Sequence, residues 1–188
     1  GLTVNPNEFA LDIAYSRVLS EKWSGAVAMR YIRSDLTGGI STGTTDTYAA
    51  NAVAADIAAY YLSPHSFTTG EGSYAFGTNI SNIGTKASYD DGITSHFLPT
   101  NLRVGASVTY PIDEYNKIMF TSDVNKLLVP TPQLPIEGES EADRQKRIDD
   151  YQNISAIAGI FMSFSDAPRG FKEELEEVMW SVGAEYAY

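Results

Sequence analysis

Large apolar residues recur at every second position in several parts of this sequence, and no other feature limits its possible folds so strongly. Residues 8–33 show the pattern twice, on either side of the polar break "SEK". A period of two sends successive side chains to opposite faces of a β-strand, and the break predicts a hairpin. The chain is therefore predicted to be all-β, with seven strands at 8–18, 23–33, 50–62, 73–82, 102–110, 117–126 and 179–188.

The connections between these strands alternate between short and long. The long ones cover 34–49, 83–101 and 127–178, and the short ones cover 19–22, 63–72 and 111–116. Short turns at one end and long loops at the other are typical of an outer-membrane β-barrel, whose long loops face the cell exterior. Strands of about ten residues also match a tilted crossing of the bilayer. The sequence therefore predicts a transmembrane antiparallel β-barrel with short helical segments in its long loops.

The number of strands bears on how much of such a barrel is present. Bacterial single-chain barrels have an even number of strands, so the seven visible here cannot close one. Residues 1–188 are expected to form a single barrel domain that is incomplete at both ends. The alternative is a soluble β-sandwich, in which the same apolar faces would pack against each other. A sandwich leaves the rhythm of short and long connections unexplained.

The second face of the predicted strands carries small residues with single charges between them. Charges of alternating sign can pair across neighbouring strands, which lowers the cost of removing each one from water. If the apolar faces meet lipid, these charges face the lumen. We expect a lumen charge network made of Asp12, Arg30, Asp56, Arg103, Asp123 and Glu185.

Composition argues against several functions. The 24 acidic and 13 basic residues leave a formal net charge of −11, whereas nucleic-acid phosphates need a basic surface. The chain has no cysteine and therefore no thiolate chemistry.

Aromatic residues make up 12% of the chain, and several fall near the short turns, where a membrane girdle is expected: Tyr15, Trp23, Tyr61, Tyr74 and Tyr110.

No group of residues predicts catalysis. His65 and His96 stand apart from other candidate groups, and an ordinary polar loop residue is the simpler interpretation of each. "SYDDG" at 88–92 lacks the ligand spacing of a calcium loop and predicts a turn. "GGISTGTTDT" at 38–47 has no following Gly-Lys-Ser/Thr, so it is a loop without a phosphate cradle. We predict no enzymatic activity, no catalytic residue, no cofactor and no metal site.

The last long connection contains three distinct segments. "ESEADRQKRIDD" at 139–150 mixes charges at helical spacing and predicts a solvated helix or a disordered excursion. "ISAIAGIFMSF" at 154–164 is apolar, so it either folds into the barrel or presents a surface to a partner. "FKEELEEVMW" at 171–180 predicts a short amphipathic helix on the barrel mouth.

Several longer stretches resemble a known family. They are "EFALDIAYSR" at 8–17, "RYIRSDLTG" at 30–38, "NISNIGTKASYDDG" at 79–92, "FLPTNLRVGASVTYPIDEYN" at 97–116, "SDVNKLLVPTP" at 122–132 and "GIFMSFSDAPRGFKEELEEVMWSVGAEYAY" at 159–188. Together they are similar to the PorV family, outer-membrane proteins of the type IX secretion system of Bacteroidota, which are related in fold to the fatty-acid transporter FadL. The resemblance implies a FadL-like barrel with about 14 strands in the full protein. The insert at 133–150 lies outside it.

The resemblance also implies a function and a set of partners. Members of the family take cargo that bears a C-terminal signal domain from the translocon barrel and deliver it to the surface sortase complex. Large apolar loop residues are the best anchors for such cargo, because buried aromatic contacts dominate interface energies. They are Phe97, Leu98, Phe161, Phe164 and Phe171. The alternative is a FadL-type transporter that moves hydrophobic small molecules through its lumen.

Overall fold

The computed structural model describes residues 5–36, 47–132, 136–168 and 170–188, apart from the side chain of Phe171. The seven strands in these residues form one antiparallel sheet in chain order. They are β1 Asn7–Val18, β2 Trp23–Asp35, β3 Ala50–Phe67, β4 Gly70–Gly84, β5 Asn101–Pro111, β6 Lys117–Leu127 and β7 Met179–Ala187. The predicted all-β class and the seven predicted strands are confirmed.

The predicted connection at 63–72 is wrong, because β3 continues to Phe67 and β4 begins at Gly70. Pro64 lacks an N–H group, and a proline within a sequence segment therefore predicts the end of a strand. In the structure Pro64 lies beyond the last β2–β3 pair, Trp23 with Tyr61, and is paired only with Ser73 on β4. The missing donor therefore costs no ladder hydrogen bond. The two strands form a long hairpin with a two-residue turn.

One face of the sheet, here named the apolar face, carries the large apolar side chains in register across the strands. For example, Val27 pairs with Ile57, and Val104 pairs with Val124. These side chains are exposed rather than buried in a core. The exposed members are Phe9, Leu11, Ile13, Tyr15, Trp23, Val27, Met29, Tyr31, Val53, Ile57, Phe76, Val104, Phe120, Trp180 and Val182.

The described residues contain a single layer of sheet. No second sheet packs on the apolar face within them, so they do not form the alternative β-sandwich. The sheet is also not closed, since β1 pairs with β2 alone and β7 with β6 alone among the described strands. The structure is therefore a seven-stranded meander with two open edges.

The last long connection contains three helices, α1 Glu141–Asn153, α2 Ala156–Met162 and α3 Phe171–Glu176. The Ser140 hydroxyl caps α1 by accepting a hydrogen bond from the Asp143 N–H, at 3.2 Å. The solvated helix predicted for 139–150 is thus present, and the helix predicted for 171–180 is shorter, because Met179 and Trp180 belong to β7. Among the described residues, no helix has both the length and the apolarity needed to cross a membrane.

Candidate functional site

The face opposite the apolar face, here named the polar face, carries a cluster of charges centred on Arg30 of β2. The Arg30 Nε lies 2.5 Å from a carboxylate oxygen of Asp12 on β1. Its Nη2 lies 3.5 Å from Asp56 on β3, and its Nη1 donates to the Asn82 amide oxygen on β4 at 2.5 Å. One guanidinium therefore connects four adjacent strands, which uses its several fixed donors.

A second cluster lies on β5 and β6. The Arg103 Nε donates to the Asn125 amide oxygen at 2.7 Å and lies 3.9 Å from Asp123. The Asn125 amide nitrogen in turn donates to Asp123 at 2.9 Å. The structure thus brings together five of the six charges expected to form a network, in two groups. The sixth, Glu185 on β7, lies opposite Met119 and makes no ion pair with another described residue.

A β-bulge at Asn82 joins the first cluster to the loops. Asn82 has a φ of 59°, a left-handed conformation that asparagine adopts more readily than most residues. Its N–H donates to Asp56 at 2.7 Å, and its carbonyl oxygen accepts from the Thr100 hydroxyl at 2.8 Å. The bulge therefore holds the segment that leads into β5 against the polar face. Sequence reasoning missed this residue, although an asparagine inside a strand was a signal for it.

The described parts of 85–100 and 128–178, here named the loop cap, gather at the end of the sheet opposite the short turns. Tyr89 of the loop cap donates its hydroxyl hydrogen to the Ser34 hydroxyl at 2.9 Å. On the polar face of β3 at this end, Ala50, Ala52 and Ala54 are 3%, 3% and 2% exposed. The polar face is therefore covered at the long-connection end.

Phe97 is packed inside the loop cap. Its ring meets the Tyr151 ring edge-on with centroids 5.6 Å apart, and the Lys86 ammonium lies 4.1 Å from its centroid. A Cβ on Gly159 of α2 would lie 2.9 Å from the Phe97 ring, so only glycine allows this approach. Lys86 also donates to the Gln152 carbonyl at 2.8 Å, and its partial burial lowers its pKa. Phe97 therefore helps to hold α1 and α2 together.

An ion pair attaches α3 to the end of β6. The Lys126 ammonium donates to Glu174 and to Glu177, both at 2.8 Å, and Glu174 also accepts from the Ala167 N–H at 2.9 Å. Burial alone would raise the pKa of Glu174, but the hydrogen bonds from Lys126 and Ala167 outweigh it and hold that pKa below its ordinary value. Sequence reasoning missed this pair, which joins residues 48 positions apart.

Helix α2 and the residues after it present apolar side chains to solvent. Phe161 is 72% exposed and Phe164 is 48% exposed, and Ile157 and Met162 are exposed beside them. Leu98 is half-buried, as is Phe97. The side chain of Phe171 lies outside the described residues. Two of the five predicted anchors are therefore on the surface, and two are part of the packed loop cap.

The other residues and segments that were considered as possible sites in the sequence make ordinary structural contacts where they are described. The His65 ring packs against Phe67 and Tyr74, with centroids 4.7 Å and 5.2 Å away. His96 pairs through its backbone with Ala87.

Asp90 accepts from the Thr94 N–H at 2.7 Å, a bond that with others lowers its pKa to about 2. No group of three or more potential metal ligands occurs in the described part of the chain. "GGISTGTTDT" lies, except for its last residue, outside the described residues.

A family model matches residues 1–134 and identifies the chain as a component of the type IX secretion system. The model is that of the type IX secretion system protein PorV, and its match covers more than half of the 188 residues. The chain therefore belongs to the PorV family, a family of secretion-system components rather than enzymes. Helices α1–α3 and β7 follow the matched segment. No curated protein matches the chain.

Proposed function

We propose that this chain is part of a non-enzymatic outer-membrane β-barrel that shuttles cargo in type IX secretion. Membership of the PorV family supports the secretion system. The exposed apolar face supports the membrane, because a soluble protein rarely exposes so large a contiguous apolar surface. Further strands of the full protein, about 14 in all, would close the sheet against its two open edges. The charged clusters of the polar face would then line the lumen.

In this proposal the barrel receives cargo from the translocon barrel and delivers it to the surface sortase complex. The cargo is recognised by its C-terminal signal domain, and outer-membrane lipid surrounds the apolar face. Lumen transport is not needed for this function, because the cargo is handled outside the membrane. The covered polar face at the long-connection end fits that requirement, since Ala50 and Ala54 are buried there.

The exposed surface of α2 is the observation that carries the cargo-binding role. Phe161 and Phe164 project from the loop cap without burial, and exposed aromatic residues of this kind become anchors when a partner covers them. Phe97 acts from below, where its ring lies against Gly159 of α2, and Leu98 packs beside Gly84 at the end of β4. Phe171, the first residue of α3, remains a proposed anchor of the same kind.

The test is a double substitution, Phe161→Ala with Phe164→Ala, in the full-length protein in its own bacterium. The barrel should reach the membrane in normal amount, while affinity for the signal domain falls roughly tenfold and unprocessed cargo accumulates. Tyr115→Ala is a matched control, because Tyr115 is as exposed as Phe161, at 73%, but lies on a short turn. Normal cargo delivery by the double variant would contradict the proposed role of α2.

A second candidate function is transport of hydrophobic small molecules through the lumen. It is favoured by a groove of about 360 Å³ on the polar face, lined by Ala58, Tyr60, Gly77, Gly105 and Arg103 among others. If the full protein is a transporter, Ala58→Asp should stop uptake of a hydrophobic solute and leave cargo delivery unchanged. The shuttle proposal expects that the wild-type protein takes up no hydrophobic solute, because the loop cap covers the polar face at the long-connection end.

A further inference from the structure

A groove of about 370 Å³ lies on the apolar face close to the short turns. It is lined chiefly by Tyr15, Arg17, Leu19, Gly25, Val27 and Ile57. All of its walls are apolar except at Arg17. The groove therefore combines an apolar cleft with a single cation, Arg17.

The register of the first three strands explains the groove. Arg17 on β1 pairs with Gly25 on β2, and Gly25 pairs with Ala59 on β3. In this row of cross-strand neighbours, β2 and β3 therefore contribute no large side chain. Trp23 and Tyr61 pair in the adjacent row toward the short turns, with ring centroids 5.0 Å apart. Gly25 forms the floor, and a Cβ there would lie 3.2 Å from the Leu19 side chain.

The groove continues along the strands away from the turns. A second cleft of about 350 Å³ shares Tyr15 and Val27 with it and extends past Ile13 to Leu11. Arg17 lies six positions after Leu11, or about 20 Å along a strand. For a strand tilted by about 40°, that length spans a depth of about 15 Å, half of the hydrocarbon core. The two clefts together thus match the depth of one leaflet.

Arg17 supplies the charge that a lipid phosphate requires. Its side chain is exposed at one end of the groove. It lies near the aromatic row of Trp23 and Tyr61, at the level where interfacial aromatic residues meet headgroups. An arginine fork binds phosphate oxygens in pairs.

We propose that this groove binds one phospholipid from the leaflet on the short-turn side. One acyl chain lies in the two clefts along β1 and β2, and the phosphate accepts hydrogen bonds from Arg17. The inference rests on the proposed membrane location of the barrel. The proposal assigns a specific phospholipid site to one part of the apolar face, whereas the rest of that face would contact lipids of any kind.

The test uses the full-length protein in detergent, titrated with phosphatidylglycerol and observed by native mass spectrometry. Arg17→Gln should weaken binding roughly tenfold, because it removes a charged hydrogen bond, and Arg17→Lys should restore part of the affinity. Gly25→Leu should weaken binding by filling the groove, and Gly25→Ala should do so less. Arg33→Gln is the matched control, because Arg33 lies in register with Phe9 at the other end of β2. Diacylglycerol, which lacks phosphate, should bind wild type and Arg17→Gln alike.

Two results would overturn the proposal. If Arg17→Gln and Gly25→Leu bind phosphatidylglycerol as wild type does, the groove is not a lipid site. If Arg33→Gln causes the same loss as Arg17→Gln, the attraction is a general effect of positive charge. Insertion of the wild-type protein into phosphatidylglycerol vesicles is measured in parallel. Failure to insert would refute the membrane location together with the groove, whereas insertion with unchanged binding by the variants would refute the groove alone.

Discussion

The Lys126 ammonium lies 2.8 Å from a carboxylate oxygen of Glu174, with side chains 9% and 7% exposed, and this contact joins the loop cap to the sheet. Glu177 provides a second carboxylate at the same distance. A buried ion pair contributes little net stability, but removal of one partner leaves a buried charge unpaired. The pair therefore fixes where α3 lies more than it stabilises the fold.

Lys126→Met should release α3 from β6 while leaving the sheet intact. We expect a loss of about 2 kcal/mol in the free energy of docking the loop cap, because Glu174 stays buried without its cation. Limited proteolysis of 163–178 measures this docking. Lys117→Met, at the exposed other end of β6, is the matched control and should leave cleavage unchanged. Equal protection in both variants would show that the ion pair does not hold α3.

The docking of α3 should depend on pH only under acidic conditions. The pKa of Glu174 is lower in the folded state than its ordinary value of about 4.3, so the contact stabilises folding fully above that value. The stabilisation is lost as pH falls through the lower, folded-state pKa. A spin label at Leu175→Cys should keep constant mobility from pH 8 to roughly pH 4.3 and become mobile below it. With Glu174→Gln added, the label should be mobile throughout, and a label that loosens near pH 7 would contradict this assignment.

The two faces of the sheet should tolerate charge very differently. Arginine at Val27 or Val104 on the apolar face should cost about 2–4 kcal/mol of folding free energy in lipid vesicles, whereas arginine at Ala28 or Ser107 on the polar face should cost much less. Val27 and Ala28 are adjacent, so they form a matched pair at nearly one depth. Urea titrations of vesicle-inserted protein give the values. Equal penalties on both faces would mean that neither face contacts lipid.

The loop cap should face the cell exterior. A cysteine at Asp143 on α1 should react with a membrane-impermeant label on intact cells, and a cysteine at Glu114 in the turn between β5 and β6 should not. Permeabilised cells provide the control, because both positions should then react. Labelling of Glu114 with Asp143 protected on intact cells would reverse the topology. The segment 37–46, predicted for the same side, lies outside the described residues.

The sequence predicted the sheet well because strand alternation is a local property that each segment carries by itself. It also anticipated that opposite charges such as Arg30 and Asp12 pair, since their neighbouring strands are joined by a short turn. The prediction failed at Pro64, because a strand accepts a proline there only if the neighbouring strand β2 ends before it, and the sequence does not give that length. It also could not predict the Lys126–Glu174 contact, because the path of a long connection in space leaves no periodic pattern in the sequence.

The most direct test of the shuttle account is photo-crosslinking in living cells from position 161. A photoreactive amino acid replaces Phe161 in the full-length protein, and the same group at Val27 on the apolar face and at Tyr115 on a short turn provides the controls. The account predicts adducts with a cargo C-terminal signal domain from position 161 and from neither control. Cargo adducts absent from position 161, in cells that still secrete cargo at the normal rate, would contradict it.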